Sequence, residues 1–145
     1  MFPFEPRFNT LTDGTMTLRL TAQKETGRAG LPFYAWDICV DEAAVGKINL
    51  RIGDNAHTYY NGHIGYEVDE PYRGHGYAGR ACRLILEVAR HHGLERVYLT
   101  CGEDNAPSWH TIEKLGARLL EICEVPGEYV FGREGVRHRI YRLEL

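Results

Sequence analysis

Between residues 63 and 93 the hydrophobic period changes from two to 3.6 across one glycine-rich segment, EPYRGHGYAGR at 70–80. No other feature restricts the fold as much. Before the segment, HIGYEV at 63–68 alternates as a strand does. After it, Ala81, Leu84, Ile85 and Val88 fall at i, i+3, i+4 and i+7, with Arg80, Arg83, Glu87 and Arg90 on the opposite side. That pattern predicts an amphipathic helix, which Gly93 closes. RVYLTC at 96–101 then has the apolar, β-branched character of an interior strand. A strand, a helix and a strand in succession imply parallel neighbours joined by a right-handed crossover.

The flanks differ in kind. TMTLRL at 15–20 alternates with period two, and FYAWDICV at 33–40 and VGKINLR at 45–51 flank a polar turn at Asp41 and Glu42, a hairpin signature. Residues 54–62 read as a loop. Asn105 is placed to cap a second helix, with Pro107 in its first turn, Ile112 and Leu115 as core positions and Gly116 past its end. Residues 119–125 and 139–145 fit a closing hairpin. The expected class is α+β: a mixed, mostly antiparallel sheet with one parallel strand-helix-strand crossover, in a single domain over 1–145. A formal charge of −3 gives no general reason to expect nucleic acid or an anionic membrane as partner, so any anion must be caught locally. MFPFEPR at the start has no leader pattern, which points to the cytoplasm. Cys39, Cys82, Cys101 and Cys123 lack any C-x-x-C spacing, and the histidines form no ligand pattern, so no metal is expected.

The chemistry concentrates at 70–80. Small residues before a helix leave backbone amides exposed where the helix dipole favours negative charge, a ready site for phosphate. Three or four charge-assisted hydrogen bonds of roughly 1.5–3 kcal/mol each suffice for a diphosphate on an acidic protein. Gly74, Gly76 and Gly79 spell G-x-G-x-x-G, with Glu103 and Asp104 at about the distance of a ribose-binding acid. A dinucleotide fold runs its strand almost directly into the first glycine, whereas Asp69, Glu70, Pro71, Tyr72 and Arg73 intervene here after Val68. Too little βαβ structure follows for a nucleotide half-domain.

The segment instead resembles the GNAT superfamily of acyl-CoA-dependent N-acetyltransferases. The family's loop pattern, Q/R-x-x-G-x-G/A, falls on Arg73, Gly76 and Ala78, preceded by a V-x-x-P-Y stretch from Val68 to Tyr72. A later N-x-x-S-x-x-x-x-E-K-L-G run spans Asn105 to Gly116. The likeness is good over 45–119 and poor over the first forty residues, and is strongest to the branch that acetylates ribosomal-protein N-termini. It implies acetyl-CoA as acyl donor, with no metal, and a primary amine of a small molecule or peptide as acceptor. The loop from Gly74 through His75, Gly76, Tyr77 and Ala78 to Gly79 would grip the pyrophosphate with Arg73. The strand end at Val68 would pair with pantetheine, which Asn105 would hydrogen-bond, and Ser108 would face the sulfur. The plain alternatives are a helix cap for Asn105 and a first-turn serine for Ser108.

Amine acylation needs a neutral nucleophile, a polarised thioester carbonyl and a proton for the leaving thiolate. The Val68 amide is the expected polarising group. Many relatives supply the proton from a tyrosine seven residues after the asparagine, where this chain has Ile112. Ser108, directly or through water, becomes the candidate donor, with Tyr66 behind it. At pH 7 a lysine amine costs roughly 4.6 kcal/mol to deprotonate and an α-amine about 1 kcal/mol, so the acceptor decides how strong a base is needed. Glu67, Glu103 and His63 are the candidates for that base. The acceptor wall that the family builds from helices between its first two strands is reduced here, because Gly27, Gly30 and Pro32 deny residues 21–32 a long helix. The 54–62 segment, the final hairpin with Arg133, Arg137, Arg139 and Arg142, or a second subunit as a homodimer would have to complete it. A cofactor-binding sensor without turnover is the competing reading.

Overall fold

The computed structural model describes residues 1–130 and 135–145. Its strands are β1 (Thr10–Thr12), β2 (Met16–Lys24), β3 (Phe33–Val40), β4 (Ala43–Arg51), β5 (Ile64–Val68), β6 (Arg96–Gly102), β7 (Arg118–Glu124) and β8 (Arg137–Glu144). Its α-helices are α1 (Ala56–Asn61), α2 (Tyr77–His91) and α3 (Ala106–Lys114). The strands form one eight-stranded sheet in the order β1-β2-β3-β4-β5-β6-β8-β7. Every pairing is antiparallel except β5 with β6, which the crossover through α2 makes parallel. The expected class is the one observed.

Local chemistry explains the joints. Asp41 and Glu42 have φ of 50° and 68°, so both central residues of the β3–β4 turn are left-handed, the geometry whose twist matches a two-residue hairpin. Alternation along β3 sends Tyr34, Trp36 and Ile38 into the core, where Tyr34 and Trp36 stack at 5.3 Å and Trp36 Nε1 donates to the Phe8 carbonyl at 2.8 Å. Ala81, Cys82, Ile85, Val88 and Ala89 of α2 are fully buried against this face. Each large aliphatic side chain buried this way contributes roughly 1.5–3 kcal/mol.

One segment departs from expectation, and another was not assigned from sequence. Residues 54–62 contain α1 and not a plain loop: the Asn55 side chain accepts from Thr58 N at 3.1 Å while Asn55 N donates to Thr58 Oγ1 at 3.0 Å. This reciprocal cap stabilises a helix of six residues, too short to display a 3.6 period. At the N-terminus, a 3-10 turn over Pro6–Asn9 buries Phe8, and β1 adds an edge strand of three residues. Residues 21–32 do lack a helix: β2 simply continues to Lys24 before a turn leads into β3. Cys39, Cys82, Cys101 and Cys123 are all free thiols.

Arg80 anchors the N-terminal hairpin to α2. Its Nε donates to Asp13 Oδ2 at 2.7 Å and its Nη2 to Asp13 Oδ1 at 2.8 Å, and it also bonds Thr15. The guanidinium, more than the neighbouring backbone amides, holds the Asp13 carboxyl well below the usual carboxylate range. A depressed carboxyl contributes stability above its unfolded pKa of about 3.9, and that contribution disappears as pH falls through the folded value. Asp13→Asn is therefore expected to lower Tm at neutral pH, with the gap to wild type closing in strong acid. Thermal unfolding at a series of pH values checks this, and a gap that widens in acid would contradict it.

Candidate active site

Three elements converge on one cleft of about 540 Å³. The first is the end of β5. Its pairing with β6 is confined to one register position, Ile64 opposite Leu99, so the two strands separate beyond it. Asp69 N donates to Val45 O at 2.8 Å, which marks residue 69 as bonded to β4. Alternation in an antiparallel ladder then turns the N–H groups of Val68 and Tyr66 the other way, toward the opening. Arg73 Nε donates to Val68 O at 2.8 Å and fastens the following loop to this strand end.

The second element is that loop and the start of α2. Gly74 and Gly76 have φ of 86° and 76°, conformations that glycine adopts without strain, and a Cβ at either would meet nothing within 4 Å. Gly76 stands at the N-cap of α2 with no side-chain cap. The first intrahelical bond runs from Arg80 N to Gly76 O at 3.1 Å, leaving the amides of Tyr77, Ala78 and Gly79 ahead of it. Open space above unclaimed amides at the positive end of a helix of 15 residues fits a pyrophosphate.

The third element is α3. Asn105 holds the N-cap position but makes no side-chain cap bond, and it is exposed. The capping role expected of its side chain is absent. Ser108, one turn on, lies against Tyr66 with their hydroxyl oxygens 2.7 Å apart, while Tyr66 OH also reaches the Ser108 carbonyl at 3.3 Å. Burial pushes the Tyr66 phenol above its ordinary value, so it is protonated at neutral pH and available to donate. Cys101 sits beside Ser108, its thiol also pushed up by burial. Ile112 is fully buried, so the position where many relatives carry a tyrosine serves packing here.

Of the residues expected from sequence, Tyr66, Glu67, Val68, Arg73, Gly74, Gly76, Tyr77, Ala78, Asn105 and Ser108 all line the cleft. His75 and Gly79 do not. Tyr72, Pro107, His110, Thr111 and Lys114 line it as well and were not anticipated. Four of them sit at i, i+3, i+4 and i+7 along α3, so its helical period was the signal that could have found them.

Two candidate bases fall away from the cleft. His63 is fully buried, with Nε2 2.7 Å from Gly53 O and Nδ1 accepting from Tyr98 N at 2.9 Å. That pattern requires the neutral ring with its proton on Nε2, and burial lowers its pKa accordingly. Glu103 is bonded to Arg137 at 3.0 Å. The basic stripe of the final hairpin is likewise engaged: Arg139 Nε donates to the Glu103 carbonyl at 2.8 Å and Arg142 pairs with Glu144 at 2.5 Å. Arg133 lies outside the described residues. Among those residues no group of His, Cys, Asp and Glu is arranged to hold a metal ion, and no helix is long and apolar enough to cross a membrane.

The family model for the acetyltransferase (GNAT) family matches residues 4–117, so the likeness extends through the first forty residues as well. The uncharacterized N-acetyltransferase YnaD of Bacillus subtilis (strain 168) is 36% identical over 79 residues, 54% of this chain and 45% of that protein. The match thus spans about half the length of this curated relative. Among solved structures, the microcin self-immunity acetyltransferase MccE in complex with acetyl-CoA and AMP aligns with a TM-score of 0.63 at 19% identity, over 78% of this chain and 61% of that one. The ribosomal-protein α-N-acetyltransferase RimL, in its apo form, aligns with a TM-score of 0.62 at 16% identity, over 78% of this chain and 61% of that one. Likeness at these identities is a likeness of fold. The separated parallel pair, the glycine loop opening α2, and a family match covering most of the sequence agree: this chain belongs to the acetyltransferase (GNAT) family.

Proposed function

We propose that residues 1–145 act as one N-acetyltransferase domain that moves the acetyl group of acetyl-CoA to a primary amine, on a small molecule or a peptide, by direct attack with both substrates bound. The observation that carries this reading is the meeting, in one cleft, of unclaimed α2 amides, the free edge of β5 and the Ser108–Tyr66 hydroxyl pair. Acetyl-CoA supplies an activated acyl group on a thiol leaving group. The amides of the Gly74–Gly79 loop and Arg73 bind its pyrophosphate, and Asn105 orders the pantetheine arm. The Val68 N–H polarises the thioester carbonyl. Glu67, exposed at the edge of the cleft, takes the proton of the attacking amine. As the C–N bond forms and the C–S bond breaks, Ser108 Oγ gives its proton to the departing sulfur and takes one from Tyr66, which recovers its own proton from solvent through the open cleft. Four free cysteines support work in the reducing cytoplasm.

Calorimetric titration with acetyl-CoA, with NADH alongside, tests the first step. Micromolar binding of acetyl-CoA and none of NADH is the expected result. Amine-dependent release of free thiol then separates an enzyme from a binding module. If acetyl-CoA binds and no amine elicits thiol, the protein is a sensor. Asn105→Ala is expected to raise the KM for acetyl-CoA about tenfold, the worth of roughly one hydrogen bond, and to leave Tm within a degree or so because no cap bond is lost. Steady-state kinetics and thermal unfolding of the variant check both halves.

A further inference from the structure

When the thioester breaks, the C–S bond pair goes to sulfur, and the sulfur is negative until the Ser108 proton reaches it. A positive charge fixed behind that point favours the step. Strand register supplies one. Cys101 of β6 stands directly opposite Arg139 of β8, so the two side chains share a face of the sheet with their Cβ atoms about 5 Å apart. On that face lies α3. The Arg139 guanidinium carbon is 4.6 Å from the centre of the Trp109 ring, and Trp109 follows Ser108 along the helix. Cys101 in turn lies beside Ser108, whose hydroxyl meets that of Tyr66 at 2.7 Å. Tyr66 stands two residues beyond the Ile64–Leu99 pairing of β5 with β6, as Cys101 does, so Tyr66, Cys101 and Arg139 make one row beneath Ser108.

The charge of Arg139 is held in place but not cancelled. Its Nε donates at 2.8 Å to the Glu103 carbonyl, a neutral group, and it makes no ion pair among the described residues. The carboxylates of this neighbourhood are bonded to other groups. Glu103 bonds Arg137 at 3.0 Å, and Glu113 accepts at 2.6 Å from the hydroxyl of Tyr141, whose oxygen also takes a bond from Arg139. His110, stacked on Trp109 at 3.9 Å, and the buried Cys82 of α2 are the other titratable groups bordering the row. Cys101 shows what a sulfur feels here: burial pushes its thiol up, while the bond to Ser108 and the charge of Arg139 push it down, and Arg139 outweighs the opposing charge of Glu113. A guanidinium stays charged at any working pH, so this field is permanent.

We infer that Arg139 stabilises the thiolate of the departing cofactor, its charge acting across Cys101 and Ser108 while its stacking on Trp109 sets the position of α3. This rests on the acetyltransferase reading above and adds a group to its leaving step. Arg139 does not touch the sulfur, so it is a positioning residue whose charge acts at a distance. At about 8 Å, with the effective screening of a half-buried site, one unit charge shifts an ionisation by about one pH unit.

Substitutions at this position separate charge from packing. Arg139→Lys keeps the charge and loses the planar stack, whereas Arg139→Met keeps an apolar stem over Trp109 and loses the charge. Arg139→Gln is also neutral but can still donate to the Glu103 carbonyl, and it carries the comparison if the methionine variant does not fold. The first readout is the pKa of the thiol of bound CoA, followed through the ultraviolet absorbance of the thiolate in a pH titration. The same protein loaded with S-methyl-CoA is the blank that removes its own cysteines and tyrosines. Both neutral variants are expected to raise this pKa by about one unit over wild type, and the lysine variant to leave it nearly unchanged. The second readout is kcat, which should fall about tenfold in the neutral variants and be largely kept in the lysine variant, with the KM for acetyl-CoA little altered in all of them. A thiol pKa unmoved in the neutral variants, or a lysine variant as slow as they are, would overturn the assignment and leave the acetyltransferase reading intact. Failure of wild type to bind CoA or to release thiol with any amine would remove both.

Discussion

Gly76→Asp is expected to weaken binding of acetyl-CoA at least about 100-fold, a loss of roughly 2.7 kcal/mol. The reason is local charge. Gly76 caps α2 without a side chain, and a carboxylate there would occupy the positive end of the helix and face the pyrophosphate across a few ångströms. Gly76→Ala separates this from backbone strain. Its Cβ enters open space, so the alanine variant bears only the left-handed conformation at φ of 76°, roughly 1–2 kcal/mol of stability. It should lose Tm much as the aspartate variant does and yet keep acetyl-CoA affinity within about tenfold. Calorimetric titration of both variants reads the difference. Equal affinity in wild type and Gly76→Asp would mean that the loop is an ordinary turn and that the phosphate site lies elsewhere.

Ser108→Ala is expected to lower kcat about 100- to 1,000-fold, within the usual worth of a positioned proton donor, and to leave acetyl-CoA affinity nearly unchanged. The variant should fold, because the Tyr66 hydroxyl retains the Ser108 carbonyl at 3.3 Å as a partner. Tyr66→Phe should fall by a similar factor if the two hydroxyls form one relay, and the double variant should be little worse than either single one. Additive losses would show instead that the two residues act separately. Unchanged kcat in both variants would show that the thiolate takes its proton from water.

Much of the site was legible because its signals are contiguous. The change of period at 70–80, the glycines before α2 and the run from Asn105 to Gly116 each lie within a dozen or so residues, so propensity and motif report them directly. Helix α1 escaped because six residues complete less than two turns, and its cap uses asparagine and threonine where the common signature ends in glutamate. The cleft-lining face of α3 was written in the sequence at helical spacing, yet nothing local says which face of a helix meets a ligand. Glu103 and His63 show the converse. Each is chemically able to serve as a base, and only their partners, Arg137 for the first and Gly53 with Tyr98 for the second, remove them from the site.

By itself, the sequence determined the class of the fold, the one parallel crossover and an anion-seeking helix start, because these follow from short-range periodicity and backbone freedom. Tertiary structure decided the rest. That Tyr66 and Ser108, 42 residues apart, share a hydrogen bond, that Cys101 faces Arg139, and that β8 runs between β6 and β7 all depend on strand register. Register is a long-range quantity: a slip of one residue would exchange the two faces of a strand and move every one of these groups to the wrong side.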